Sequence, residues 1–224
     1  MGAFWDYLTT ASHWDGPSGI GQRLVNHLWL STASMVIAAA VSIPPAVWLG
    51  HRGGRHRFAV SLVNIGRAIP SFALLALVLP LSIAWGFGLG FWPTAVAMVA
   101  LAIPPIFVNT LTGVSEVPVD IRAAAVGMGL RPFEQVRHVE LPLAMPLVLT
   151  GLRIATLQVI ATATLGALVA FSGLGSLIEE GRASFDEGKT WTGAILVIVA
   201  ALLSQTAFVT LERRTTRWRR AGTT

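Results

Sequence analysis

The side chains that ordinarily carry chemistry are sparse in this chain and poorly spaced for it. The histidines are His13, His27, His51, His56 and His138. None forms His-Glu-x-x-His or a pair at ligand spacing beside a carboxylate, so no metal site is indicated. There is no cysteine, which excludes disulfides, thiol chemistry and cysteine-held metal. Gly188-Lys189-Thr190 ends like a phosphate-binding P-loop, but the glycine required five residues earlier is Ala183. The chain is therefore not expected to hydrolyse ATP by itself or to hold a catalytic residue or cofactor of its own. Its long apolar stretches contain no Asp or Glu, which argues against a proton relay of carboxylates. Two arginines do enter those stretches. Arg67 lies in Ile65-Gly66-Arg67-Ala68-Ile69-Pro70, and Arg153 in Gly151-Leu152-Arg153. Either they snorkel to headgroups or bond carbonyls freed at Pro70 and near Pro146, or they contact a substrate at a gate. The polar residues Asn64, Ser71, Asn109, Gln158 and Thr162 are candidates for a translocation path, although hydroxyls in membrane helices more often serve packing.

Lipid is the solvent these stretches call for. The chain is 54% hydrophobic and 12% charged, with a mean hydropathy of +0.67. A soluble domain carries roughly a quarter charged residues, so too little polar surface remains here to solvate a globule. The net charge of +5 fits basic residues gathered at the cytoplasmic ends of membrane spans. No segment interleaves basic and aromatic residues as nucleic-acid binding requires, so membrane lipid is an expected partner and nucleic acid is not.

A crossing takes about 20 apolar residues. Charge-free runs give spans near 28–50, 93–112, 154–175 and 190–211, and a run broken only by Arg67 gives one near 60–82. Trp85-Gly86-Phe87-Gly88-Leu89-Gly90-Phe91-Trp92-Pro93 punctuates a hairpin between the second and third. Residues 1–23 form an extracytoplasmic segment without a basic region of the cleaved-signal type. Residues 212–224 form a basic tail. With the 51–57 loop placed in the cytoplasm, eleven Lys/Arg fall on that side and three outside. The expected fold is therefore all-α, with about five membrane helices, N-terminus out and C-terminus in.

Between the third and fourth spans, residues 116–142 carry seven charges and face the cytoplasm. After Pro118 and Asp120 a short helix rich in alanine is expected, stopped by Gly129, followed by a second helix from Arg131-Pro132. Leu141-Pro142 marks the return to the membrane. Small residues and mixed charges at a membrane face suit the docking of a soluble partner.

This loop resembles the EAA loop of bacterial ABC importer permeases, whose pattern is EAA, three residues, Gly, nine residues, then I-x-L-P. Aligned on Gly129, the alanines fall at Ala124 and Ala125, and Val139-Glu140-Leu141-Pro142 on the closing element; Ala123 replaces the leading Glu. Ser172-Gly173-Leu174-Gly175 with Ile178 and Gly181 resembles the glycine-rich stretch after the next span. His27-Leu28-Trp29-Leu30-Ser31, Ile69-Pro70-Ser71-Phe72 and Arg131-Pro132-Phe133-Glu134-Gln135 are similar to the osmoprotectant permeases for glycine betaine, carnitine and choline. The resemblance implies a type I importer fold in the bacterial cytoplasmic membrane. It implies an ATPase-coupling loop containing Ala123, Ala124, Ala125, Gly129, Arg131, Glu134, Val139, Leu141 and Pro142. It further implies two ATPase subunits binding ATP and Mg, a second identical or sister permease, and an extracytoplasmic substrate-binding protein. The mechanism implied is alternating access. A permease for another cargo, such as methionine or an alkanesulfonate, is the nearest rival; a membrane enzyme or assembly factor and a passive channel are the others. The arginine tail serves as a topology anchor on anionic lipid or as a sensor of ionic strength.

Overall fold

The computed structural model describes residues 2–54, 60–61 and 69–215, with only the backbone of Arg214. Among these residues the regular elements are all helical. A short helix, α1 (Gly2–Thr9), and one 3-10 turn precede α2 (Ile20–Arg52). They are followed by α3 (Ser71–Ala84), α4 (Phe91–Ser115) and α5 (Val119–Gly127). A continuous helix, α6 (Pro132–Val169), leads to α7 (Leu174–Ala183) and α8 (Glu187–Thr215).

Helices α2, α4, α6 and α8 are long and apolar enough to cross a membrane. Helix α3 has 14 residues, about 21 Å of rise. It covers part of the span expected near 60–82; residues 62–68 of that span, with Asn64 and Arg67, lie outside the described residues.

The bundle centres on α4, whose Ala95, Met98, Ala102 and Ile106 meet Leu30 and Ala38 of α2 and Ala155, Val159 and Ala163 of α6. The buried stripe of α2 is mostly small: Ser34, Ala38, Ser42, Ala46 and Gly50. Without a hydrophobic drive in lipid, small residues let backbones approach and supply packing energy. No residue of the most apolar 18-residue stretch of α8 is fully buried; this helix lies at the edge of the bundle, with Leu196 and Val197 packed against Leu174 and Leu177 of α7. The bundle has two ends. One gathers residues 2–19, the 85–90 turn and the 170–186 segment; Gly90 N–H donates to Val169 O at 2.7 Å there. The other gathers the ends of α2 and α4 with residues 116–140.

Two boundaries differ from expectation. The fourth crossing is not 154–175: its helix starts far earlier, passes through Pro142 and Pro146, and leaves helical geometry at Ala170, whose φ is +66°. Charge in the loop masked its helical start, since Arg137 and Glu140 lie on the helix itself. The helix runs unbroken through Leu141-Pro142, the expected return to the membrane. A π turn over Val136–Glu140 precedes that pair, with Leu141 N–H bonded to Val136 O. Proline lacks a donor and crowds the carbonyl four residues back; the wider turn absorbs both problems. The second boundary is at the N-terminus, where helix α2 already begins at Ile20, within residues 1–23.

Candidate functional site: the loop at the end of the bundle

Helix α5 begins after Pro118 with Asp120 in its first turn, where a negative charge is favoured by the exposed N–H groups. No side chain caps it. Its end is specified by Gly129. There φ is +80°, Gly129 N–H bonds Val126 O at 2.9 Å, and Leu130 N–H bonds Ala125 O at 3.2 Å. This double closure needs the left-handed conformation that glycine adopts freely. Helix α6 starts with Pro132 at its first position, and Glu134 accepts a 2.8 Å bond from Arg131 N–H, one half of a capping box. Local chemistry thus shapes both helices of the loop.

Ala125 is buried, whereas Ala123, Ala124, Gly129, Arg131 and Pro142 are exposed; Glu134, Val139 and Leu141 are half-buried. Around the exposed alanines stand Val119, Val126, Met128 and Phe133, each 60–79% exposed. Large apolar side chains presented together outside the apolar part of the bundle mark a surface built to be covered by protein. A groove of about 580 Å³, lined by Trp48, His51, Pro132, Phe133 and Val136, opens beside it.

Beneath this surface lies a polar cluster that sequence reasoning missed. Glu140, the variable position of the closing element, is fully buried. Its carboxylate accepts bonds from His51 Nδ1 at 3.0 Å and from Gln135 Nε2 at 3.1 Å, and Arg122 lies 3.4 Å away as an ion pair. The bond requires the proton on Nδ1 of His51, since a carboxylate only accepts. Arg122 also donates to the carbonyls of Gly50 and His51 at the end of α2 and of Val114 at the end of α4. These carbonyls lie in the last helical turns, where Gly50 and Val114 otherwise accept only long bonds from Gly53 N–H at 3.4 Å and Val117 N–H at 3.3 Å, and a cation suits them. Breaking a buried pair from one side typically costs about 3–5 kcal/mol. The signals in sequence were a glutamate next to an apolar run and an arginine in an alanine helix; His51 is 89 residues away.

The other expected residues are spread out. Arg153 reaches Glu212 of α8 at 3.5 Å, so a carboxylate from the last helix meets it. Asn109 turns its amide back to Pro105 O at 2.8 Å. A β-carbon on Gly151 would stand 2.9 Å from that of Asn109. Gln158 and Thr162, seven and eleven residues on from Gly151, lie half-buried along the same edge of α6. Ser71 opens α3 and is half-buried. Asn109 therefore lies on the α4–α6 seam at Gly151, while Gln158 and Thr162 continue the Gly151 edge of α6 and Ser71 stands on a separate element. Among the described residues no three metal-ligating side chains converge.

Known proteins align with this arrangement. Residues 42–217 match the family described as binding-protein-dependent transport system inner membrane component. A glycine betaine/carnitine/choline transport system permease of Bacillus subtilis is 32% identical over 190 residues, 85% of each chain. An osmoprotectant import permease of Salmonella typhimurium is 34% identical over 197 residues, covering 87% of this chain and 80% of its own. In fold, the chain is similar to a methionine ABC transporter in an inward-facing conformation, with a TM-score of 0.77 at 23% identity over 88% of this chain and 96% of that one. A helical bundle exposing a capped, apolar loop at one end, matched along most of its length, leads to one assignment. The chain belongs to the family of binding-protein-dependent transport system inner membrane components, multi-pass permease subunits of ABC transporters.

Proposed function

We propose that this permease imports osmoprotectants, namely glycine betaine, choline, carnitine or related quaternary ammonium compounds, driven by ATP. The cargo assignment is carried by the 30–34% identity to permeases named for those solutes in three bacteria. The family implies an ATPase and a substrate-binding protein as partners. The finer reading is two ATPase subunits that bind the ATP and Mg, with a second identical or paralogous permease completing the path. The Lys/Arg bias supports placing the loop end in the cytoplasm and residues 2–19 outside.

In this reading the ATPases grip α5 and the start of α6 through Val119, Val126, Met128 and Phe133. Their closure draws two such loops together, the helices rock, and cargo delivered outside enters along the α4–α6 seam. A quaternary ammonium needs no carboxylate partner, since aromatic faces and dipoles hold it. That agrees with apolar stretches free of Asp and Glu.

Reconstitution with the partner ATPase and binding protein tests it. ATP-dependent, concentrative uptake of glycine betaine, choline or carnitine is expected. Uptake of none of these, with methionine carried instead, overturns the cargo; uptake without ATP hydrolysis makes the chain a channel. Gly129→Asp tests the docking surface, because no neighbouring atom lies within 4 Å of a β-carbon there and aspartate enters the left-handed conformation at less cost than most residues. The fold should survive while ATPase binding weakens tenfold or more; unchanged binding removes the loop from coupling.

A further inference from the structure

We infer that Glu140 is a positioning residue, the joint through which movement of α5 reaches α2 and α4. This rests on the reading of 116–142 as the ATPase-facing loop. Helix α5 lies outside the bundle, and most of its surface is exposed. Among the described residues, its side-chain hydrogen bonds and ion pair to the bundle come from Arg122, beside buried Ala125 and Ile121, which shares a groove with Leu143 and Pro146. The Arg122 guanidinium bonds carbonyls in the last turns of α2 and of α4 and pairs with Glu140. Glu140 in turn holds His51 of α2 and Gln135 of α6. Three helix ends and the loop helix therefore meet around the Arg122–Glu140 pair, α4 through Arg122 and α2 and α6 through the carboxylate. A push on α5 cannot slide past these groups without drawing Arg122 away from a fully buried carboxylate, which would keep only His51 and Gln135, a costly state.

The π turn sets the aim of this carboxylate. Inserting one residue in a helical turn rotates the helix on its N-terminal side by about 100° relative to the helix on its C-terminal side. Gln135 and Glu140 face His51 and Arg122 in this register.

Spin-label distances in the assembled transporter test the joint directly. The chain has no cysteine, so Asp120→Cys on exposed α5 and Val41→Cys on the exposed face of α2 give clean labels, used once the labelled parent transports like the unlabelled one. In the parent, the distance between them should be the same with and without ATP, because loop and helix move together. In Glu140→Gln it should shift or broaden on ATP addition, while the ATPase stays bound, hydrolysis changes less than twofold and transport per ATP falls tenfold or more. A parent distance that changes with ATP overturns the joint, as does Glu140→Gln that transports normally or sheds the ATPase. If Glu140→Gln does not fold, Arg122→Lys decides. It keeps the charge but cannot bridge several carbonyls, so transport per ATP should fall at least threefold, and wild-type coupling overturns the inference. The distance readout requires only ATPase and ATP. A wrong cargo would therefore leave it intact, whereas absence of ATPase binding would sink the coupling reading itself.

Discussion

At Gly175 a β-carbon would stand 2.1 Å from the Thr164 carbonyl oxygen, and that oxygen belongs to backbone that cannot rotate away. The position lies on the first turn of α7, where it packs on the 3-10 end of α6. Overpacking of this kind typically costs about 1–3 kcal/mol. Gly175→Ala should accordingly lower the unfolding temperature of the detergent-solubilised protein by several degrees. Gly127→Ala, with open space around it, should not. Equal behaviour of the two would refute the contact. The glycine-rich run was visible in sequence as a pattern, but the reason for Gly175 lies in Thr164, on another helix. The same holds more sharply for Glu140. Its neighbours in sequence announce a helix entering lipid, whereas its partners His51 and Arg122 come from elements folded against it. Gly129 and Arg131-Pro132, by contrast, act on their own backbone, and so the shape of the loop could be read directly.

Among the elements, α6 joins loop to bundle without a break, and its two ends are wound differently. It opens through a π turn at Val136–Glu140 and closes as a 3-10 helix over Ala163–Val169. Apolar runs reported where the crossings lie, because burial in lipid needs only length and composition. They could not report that charged residues already belong to the same helix. The winding follows from Pro142, which denies His138 O its ordinary donor. Pro142→Ala should let the π turn tighten to α geometry and re-aim Gln135 and Glu140. Coupled transport should then fall several-fold with little loss of thermal stability, since a helix bond is gained as the cluster loosens. Full activity in uptake assays would show that the register at Val136–Glu140 is not set by the proline.

Across the whole molecule, ionic contacts tie the ends of the bundle while the middle is held by small-residue packing. At the end opposite the loop, Arg23 of α2 is nearly fully buried and bonds Ser18 O, Ser176 Oγ and Glu180; Lys189 joins Glu180 at 2.7 Å. This draws together α2, α7 and α8. Burial by itself would raise the Glu180 carboxyl, but the bonds and charges of Arg23 and Lys189 outweigh it and hold the group below its ordinary value near 4.5. A depressed carboxylate contributes stability that is fully present above the unfolded value and is lost as pH falls through the lower folded value. Wild-type protein should therefore exceed Glu180→Gln in unfolding temperature at pH 7. The gap should narrow below pH about 4.5 and close at lower pH, where the wild-type carboxyl is protonated too. The cluster is partly exposed, so 1 M salt should shrink the gap at pH 7 as well. A gap that stayed constant from pH 7 to pH 3 would mean that the side chain acts by packing alone. In that case α2 and α7 would be held together at this end by Arg23 on Ser176, and not by the charge of Glu180.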